Sequence, residues 1–501
     1  NLIFNSMTGY QWMKDNLCLD QDFTPASIFT LNQLQNLNAL TQEFVLKSKD
    51  KQAWKWVNGL FGSFKNLRTN SPVCFKKDGV SLLEASINGN IPSTYNMTFD
   101  LTDDELKMPS RFTENDYSAA LYHQSTYQIP SVDGLSVSAG LRLDYERVSL
   151  DYASSALMNT AYTMTRGMMS IGDNLAVHSL LNGNLASDFW HLIPKFSIEY
   201  AFNKQNKLYA SVTRGFQAGG YNIQLFSDLL QKQLQADMSV QLKNSIAQQL
   251  QPYVNMGMPQ SAINTIVSHI PTSAGVENVG KAIAYNPEYS WNYELGFHSE
   301  PVNGKLQMDG AVFYIDTKDR QIAQFSPDGY GRMMKNAAGS VSKGVELSVL
   351  AKPFSHLGLN ASYGLTEATF TEYKDSVKTS TGYQEVDYSG NYVPMVPKHT
   401  LSAGADYSFD MKGKVLDKIQ LAAQYHAAGP IYWTEANNMK QAFYGLTDAQ
   451  ISFFKQHVRL DCWIRNAFDT RYNTFYFESM GSAFAQQGRP MQIGFTTKWT
   501  F

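Results

Sequence analysis

The chain has 501 residues, and 41 basic against 44 acidic side chains leave a formal charge of only -3, which offers no basic surface for a nucleic-acid partner. Charged residues are 17% of the chain and aromatics 13%, too few charges for an ordinary soluble surface of this length. No window of 18 apolar residues occurs, which excludes a helical membrane protein and leaves a large all-β chain whose apolar residues are hidden in alternation.

The first predicted strands lie at 2–12, 40–49, 54–68, 117–129 and 134–148. In the last of these, Leu135, Val137, Ala139, Leu141, Leu143 and Tyr145 alternate with Ser136, Ser138, Gly140, Arg142, Asp144 and Glu146. Such a strand suits one face in hydrocarbon and the other on a polar interior. Strands follow at 190–202, 206–217, 289–300, 304–327, 334–353, 356–371, 397–410, 415–430, 442–453, 455–469 and 487–501, sixteen in all. Leu401, Ala403, Ala405, Tyr407 and Phe409 repeat the alternation, and Ile493, Phe495, Thr497, Trp499 and Phe501 repeat it at the end.

The connections sort by parity. Tight ones at 50–53, 130–133, 203–205, 301–303, 354–355, 411–414 and 454 interleave with a mostly long set at 13–39, 69–116, 149–189, 218–288, 328–333, 372–396, 431–441 and 470–486. A transmembrane antiparallel β-barrel sorts its periplasmic turns and external loops in this way. A β-helix would show a constant internal repeat and a propeller repeated blade signatures, and neither is found. Within 218–288, Phe226, Leu230, Leu234, Met238, Leu242, Ile246 and Leu250 recur every fourth residue among polar ones, which predicts an amphipathic helix, with a break in its middle left open, ended by Pro252. Cys18, Cys74 and Cys462 have no metal-site spacing, although Cys18 and Cys74 are left able to pair. The chain starts at Asn1 without a signal peptide, so any targeting segment is expected outside it.

Several segments, in order, resemble those of the TonB-dependent outer-membrane receptors. The run from Leu208 through Thr213-Arg214-Gly215-Phe216-Gln217-Ala218-Gly219-Gly220-Tyr221-Asn222 is similar to a hallmark strand and loop entry of that family, and Asn286-Pro287-Glu288 with Trp291-Asn292-Tyr293-Glu294-Leu295-Gly296 to the next. Further matches are Arg320-Gln321-Ile322, Gly344-Val345-Glu346-Leu347, Val396-Pro397-Lys398-His399, Asn466-Ala467-Phe468-Asp469-Thr470-Arg471-Tyr472 and Gly488-Arg489-Pro490. These cover 208–501, while 1–207 matches in strand rhythm only. The family has a plug domain inside a barrel of more strands than sixteen. The resemblance therefore implies that 1–501 is the C-terminal part of a receptor barrel, with plug and first strands absent.

The resemblance implies energised import of a scarce large nutrient, an iron–siderophore complex foremost, with haem or cobalamin as others. A sixteen-stranded diffusion porin is one alternative, and a surface barrel working with a lipoprotein partner is another. The implied partners are outer-membrane lipid and lipopolysaccharide, an energising inner-membrane complex reached through an N-terminal segment absent from the chain, and the outer-membrane assembly machinery. No phosphate loop, metalloprotease helix or nucleophile motif suggests an enzyme, and no covalent cofactor or resident metal is expected. External aromatics and cations suit a planar or catecholate chelate: Tyr221, Tyr432, Trp433, Arg471, Tyr472, Phe475, Tyr476, Phe477 and Arg489 are the candidate ligand residues. The competing reading of each is interfacial girdle or loop packing. Trp499 and Phe501 are expected to close the barrel and to be read by the assembly machinery.

Overall fold

The computed structural model describes residues 2–500 except 21, 50–52, 90, 92–95, 167–168, 303, 326–331, 338, 380–381, 412, 414 and 480–481, so Phe501 lies outside the described residues. Among the described residues, sixteen long strands run antiparallel in chain order: β1 (Leu2–Asp20), β2 (Phe29–Ser48), β3 (Trp54–Asn70), β4 (Ser110–Gln128), β5 (Leu135–Arg166), β6 (Met169–Ala201), β7 (Asn206–Gln217) and β8 (Glu288–Val302), then β9 (Leu306–Lys318), β10 (Gly339–Phe354), β11 (Leu357–Glu372), β12 (His399–Asp410), β13 (Lys418–Gly429), β14 (Tyr444–Lys455), β15 (Val458–Arg465) and β16 (Gln492–Trp499). Each pairs with its neighbours in sequence. Among the described residues β1 pairs with β2 alone and β16 with β15 alone. Phe23, just after β1, nevertheless packs its ring 5.0 Å from Phe477 in the last external connection.

The wall inverts the burial rule of a soluble protein. Leu121, Leu141, Leu143, Leu192, Phe196, Leu208, Tyr293 and Leu295 are all exposed, while Asp144 and His191 on the opposite faces are buried. That arrangement places the apolar row in hydrocarbon and the polar row on the lumen. Aromatic residues mark both interfaces. Tyr145 and Trp190 face each other across β5 and β6 with ring centroids 4.9 Å apart, and Trp54 opposes Tyr127 near the tight turns. Trp499 stands opposite Val458 beside the β14–β15 turn and is exposed, in the same lower girdle.

The strands at two of the wide connections, the first and the third, outrun the membrane, which corrects the predicted loops 13–39 and 149–189. β1 and β2 leave only 21–28 between them, and β5 and β6 stay in register from Leu135↔Tyr200 to Arg166↔Met169. The reason for the misreading is a change of phase. Below Tyr145 the apolar residues of β5 are odd-numbered and face lipid, but above it Val148, Leu150, Ala156, Met158, Tyr162 and Met164 are even-numbered and buried. β6 switches in mirror fashion, from Leu192, Phe196 and Ile198 outside to Ile171, Leu175, Val177 and Leu181 inside. A strand whose apolar face changes side loses its period-two signature at the change.

Those inward residues meet a water-excluding core built outside the membrane. It comprises α1 (Lys77–Gly89), α2 (Phe226–Val254), α3 (Gln260–His269) and α4 (Val279–Ile283), with short strands at Val73–Phe75, Met97–Leu101 and Leu106–Met108. Met97–Leu101 adds to β5 opposite Thr160–Met164. α2 runs without a break, and Phe226, Leu230, Leu234, Met238, Leu242, Ile246 and Leu250 are all buried. It lies along the lumen side of the hairpin, where Ser179 Oγ donates to Asp237 Oδ2 at 2.5 Å and Ser245 Oγ to Asp173 Oδ2 at 2.7 Å. Phe226 wedges between Phe112 and Tyr152, with centroids 4.8 and 4.9 Å away. The principal apolar core is thus a cap roofing one side of the barrel mouth. All three cysteines are free thiols, so the pairing left open for Cys18 and Cys74 is not made.

Candidate functional site

The recognised sequence segments converge at the rim as joints. At the neck of the 218–287 connection, Gly220-Tyr221 forms a two-residue ladder with Ala284-Tyr285. A Cβ on Gly219 would lie 2.7 Å from the Tyr285 carbonyl oxygen and 3.0 Å from Pro287, so the close approach requires glycine. Asn222 Nδ2 donates to the carbonyls of Ile283 and Met334, and its Oδ1 accepts from Met334 N at 2.6 Å. Gln321 donates to the carbonyls of Ala218 and Asn286, Asn336 to those of Asn286 and Asp319, and Glu288 accepts from Gln321 N. Side-chain amides therefore staple the neck to the next loop, bonding backbone groups on both.

A second joint holds the last connection. Asn466 is buried at φ 47°, accepts from Thr470 N at 2.8 Å and donates to the carbonyls of Thr470 and Arg489. Asp469, also at positive φ, accepts from Met491 N. Asparagine and aspartate tolerate this left-handed conformation because their side chains bond the local backbone.

Beside the cap, the remaining loops build an aromatic and acidic wall. Phe370, Tyr373, Val393, Ile322 and Ala368 form a small buried cluster with Tyr388 against it. The Tyr373 hydroxyl donates to Asp375 Oδ2 at 3.1 Å, and Lys335 pairs with the other oxygen of that carboxylate. Burial, then Asp375 and Glu435, push the Tyr373 hydroxyl far above the ordinary tyrosine range. Glu435 is half-buried and its carboxyl is raised, chiefly by burial and then by Asp375 and Glu478 nearby. Tyr476 is buried and donates to Glu478 at 2.8 Å.

Six of the nine predicted ligand residues fall on this side of the mouth with defined neighbours. Tyr432 stacks on Tyr392 at 5.0 Å and 3°, and Tyr472 on Tyr444 at 4.5 Å and 16°. Trp433 is buried, and Phe475 and Phe477 lie 5.6 Å apart in the same hairpin as Tyr476. Arg471 and Arg489 are exposed near that hairpin's base. Tyr221 stands apart, buried at the cap's neck with its hydroxyl 2.8 Å from Ser187 Oγ. Tyr373, Tyr388 and Tyr392 belong to the wall but were not among the predicted residues, because no signal in 372–396 distinguished them from other loop aromatics. Among the described residues no group of three or more His, Cys, Asp or Glu side chains is arranged to hold a metal.

Lipid-facing wall, polar lumen, aromatic girdles and long rim loops define a multi-pass β-barrel of the bacterial outer membrane, its long loops extracellular. The family model described as TonB dependent receptor-like, beta-barrel matches residues 6–467, and the chain belongs to that family. This corrects the reading of the chain as only a C-terminal part without plug or first strands: the match begins at residue 6 and is not confined to 208–501. The chain resembles the pesticin receptor of Yersinia pestis, 22% identical over 384 residues that are 76% of this chain and 43% of that protein. It is also similar to the ferrichrome outer membrane transporter/phage receptor of Escherichia coli, 25% identical over 39% of this chain and 25% of that one. The crystal structure of the ferric yersiniabactin uptake receptor of Yersinia pestis superposes with a TM-score of 0.65 at 18% identity, covering 100% of this chain and 59% of that one. The chain thus spans less than two thirds of the length of these relatives.

Proposed function

We propose that the protein takes part in TonB-energised import of a ferric chelate, with the chelate as cargo and no covalent step. The observation that carries this reading is membership of the receptor barrel family over residues 6–467. Relatives named as ferrichrome transporter and ferric yersiniabactin receptor support the iron chelate as cargo class. The wall of stacked tyrosines beside exposed Arg471 and Arg489 supplies the chemistry: aromatic faces for a planar or catecholate ligand and guanidinium groups for its negative charge. In this reading Tyr432, Tyr472, Phe475 and Phe477 form the landing surface over the buried Trp433 and Tyr476, Tyr221 braces the cap, and Trp499 with Phe501 marks the strand read at assembly. The energising partner is an inner-membrane complex, and lipid and lipopolysaccharide surround the wall.

The test is titration of the purified barrel in nanodiscs with ferric and iron-free siderophores of catecholate, phenolate and hydroxamate type, read by calorimetry. One ferric class should bind preferentially, and Tyr472→Ala or Arg489→Ala should weaken it about ten-fold. Absence of ferric preference, together with passive conductance to small solutes in planar bilayers, would replace this reading with a diffusion porin.

A further inference from the structure

Strands β6 and β7 separate partway up the wall. β7 pairs with β6 only from Lys207↔Ala201 to Thr213↔Lys195, yet remains paired with β8 as far as Gln217↔Glu288. The residue of β6 immediately above the last rung is Pro194. Alternate residues of a strand turn their N–H and C=O toward opposite neighbours. Ala201 N donates to Gly134 on the β5 side, whereas the Leu192 carbonyl accepts from Arg214 of β7, so even-numbered residues of β6 face β7. Pro194 is one of these and has no N–H to give, so the ladder stops there.

Above Pro194 the two edges meet, among the described residues, through side chains. Arg214 Nη1 reaches the Leu192 carbonyl at 3.1 Å, and the His191 ring stacks on Phe216 at 3.8 Å. Tyr289 Oη lies 2.8 Å from His191 Nδ1. His191 is fully buried, and its Nε2 lies 3.3 Å from Glu146 Oε2 without hydrogen-bond geometry. Phe216 and Tyr289 share sequence parity with the lipid-facing Leu208 of β7 and Tyr293 of β8, yet they touch the lumen side of β6. The upper ends of β7 and β8 therefore stand inside β6, and the wall overlaps itself.

We propose that this overlap is a hinge line: the hairpin above Pro194, with the cap core bonded to it, moves as one body against β7–β16. His191 is the positioning residue that holds the two together. The hairpin and α2 are tied by the Ser179–Asp237 and Tyr162–Ser245–Asp173 hydrogen bonds, whereas among the described residues β6 above Pro194 meets β7 and β8 through the few side chains above, and the cap joins them through its narrow neck and the Asn222–Met334 bonds. Contacts of that kind set a boundary between bodies more readily than a continuous ladder does.

The test uses the full chain in nanodiscs with Cys18, Cys74 and Cys462 replaced by serine and spin labels on His178→Cys and Ala436→Cys. His178 is exposed on the hairpin's outer face, and Ala436 is exposed on the β13–β14 connection. Electron–electron double resonance should give one narrow separation in the parent. His191→Ala should broaden that distribution about two-fold, and Pro194→Ala, which restores an N–H, should not. Tyr289→Phe removes only a hydroxyl and should broaden it less, which keeps the hinge falsifiable if His191→Ala does not fold. Unchanged distributions in His191→Ala and Tyr289→Phe, with the heat-modifiable gel shift of a folded barrel retained, would overturn the hinge.

Discussion

Ile246→Ala tests whether the cap is a cooperative unit separate from the membrane wall. Ile246 is wholly buried in α2, beside the Ser245 hydroxyl that joins Tyr162 and Asp173. Truncating a buried isoleucine to alanine removes about 2–5 kcal/mol, from lost transfer energy plus the cavity left behind. Taking about 3 kcal/mol, local opening of the cap becomes roughly 100-fold more frequent. Hydrogen exchange by mass spectrometry should show that acceleration in α2 and in the hairpin at 150–181, while the lower halves of β9–β14 keep their protection. Val240→Ala on the same helix, where the side chain is exposed, should change exchange by less than about 0.5 kcal/mol. If wall amides lose protection together with α2, cap and barrel are one unit and the two-core reasoning is wrong. If α2 is unaffected, Ile246 does not carry the core.

Two further outcomes follow from the rim. A carboxyl whose pKa rises on folding disfavours the folded loop once ionised, so the loop around Glu435 should weaken as pH climbs from the ordinary 4.5 toward the raised folded value, and no further above it. Glu435→Gln should therefore protect segment 431–443 from exchange at about pH 8 and leave it unchanged at about pH 4; equal effects at both would deny the cause assigned to the shift. Asn466→Ala should cost about 2–3 kcal/mol by removing three hydrogen bonds and a residue suited to positive φ, and should expose 470–489 to limited proteolysis. Asn466→Gly, which keeps the backbone freedom, should recover part of that loss, and resistance to protease in both variants would deny the staple.

The wall was legible in the sequence because lipid and lumen impose one rule on every rung. The predicted strand at 134–148 coincides with the membrane part of β5, and 206–217 with all of β7. What could not be read was the wall above lipid, where the apolar face of β5 changes between Tyr145 and Val148 and the alternation breaks phase. The same limit applies to the rim. The loops holding Tyr432 and Tyr472 were identifiable from strand parity, but their stacking partners Tyr392 and Tyr444 lie on other connections or strands, and no local pattern links them. Pro194 was visible within a predicted strand, yet only the register shows that its missing N–H falls on the β7 side.

The change of face at Tyr145 also fixes a length. From Leu135 to Tyr145 the lipid-facing row of β5 spans ten residue steps. At about 3.3 Å each and a tilt of about 40°, it stands about 25 Å high. The hydrogen-bonded ladder cannot stretch to suit a thicker bilayer, and the cap begins directly above the aromatic row. Lipids around this barrel must therefore adjust to it. A host membrane of greater thickness would be locally thinned at the rim, so bilayer thickness becomes a variable to which cap and wall respond differently.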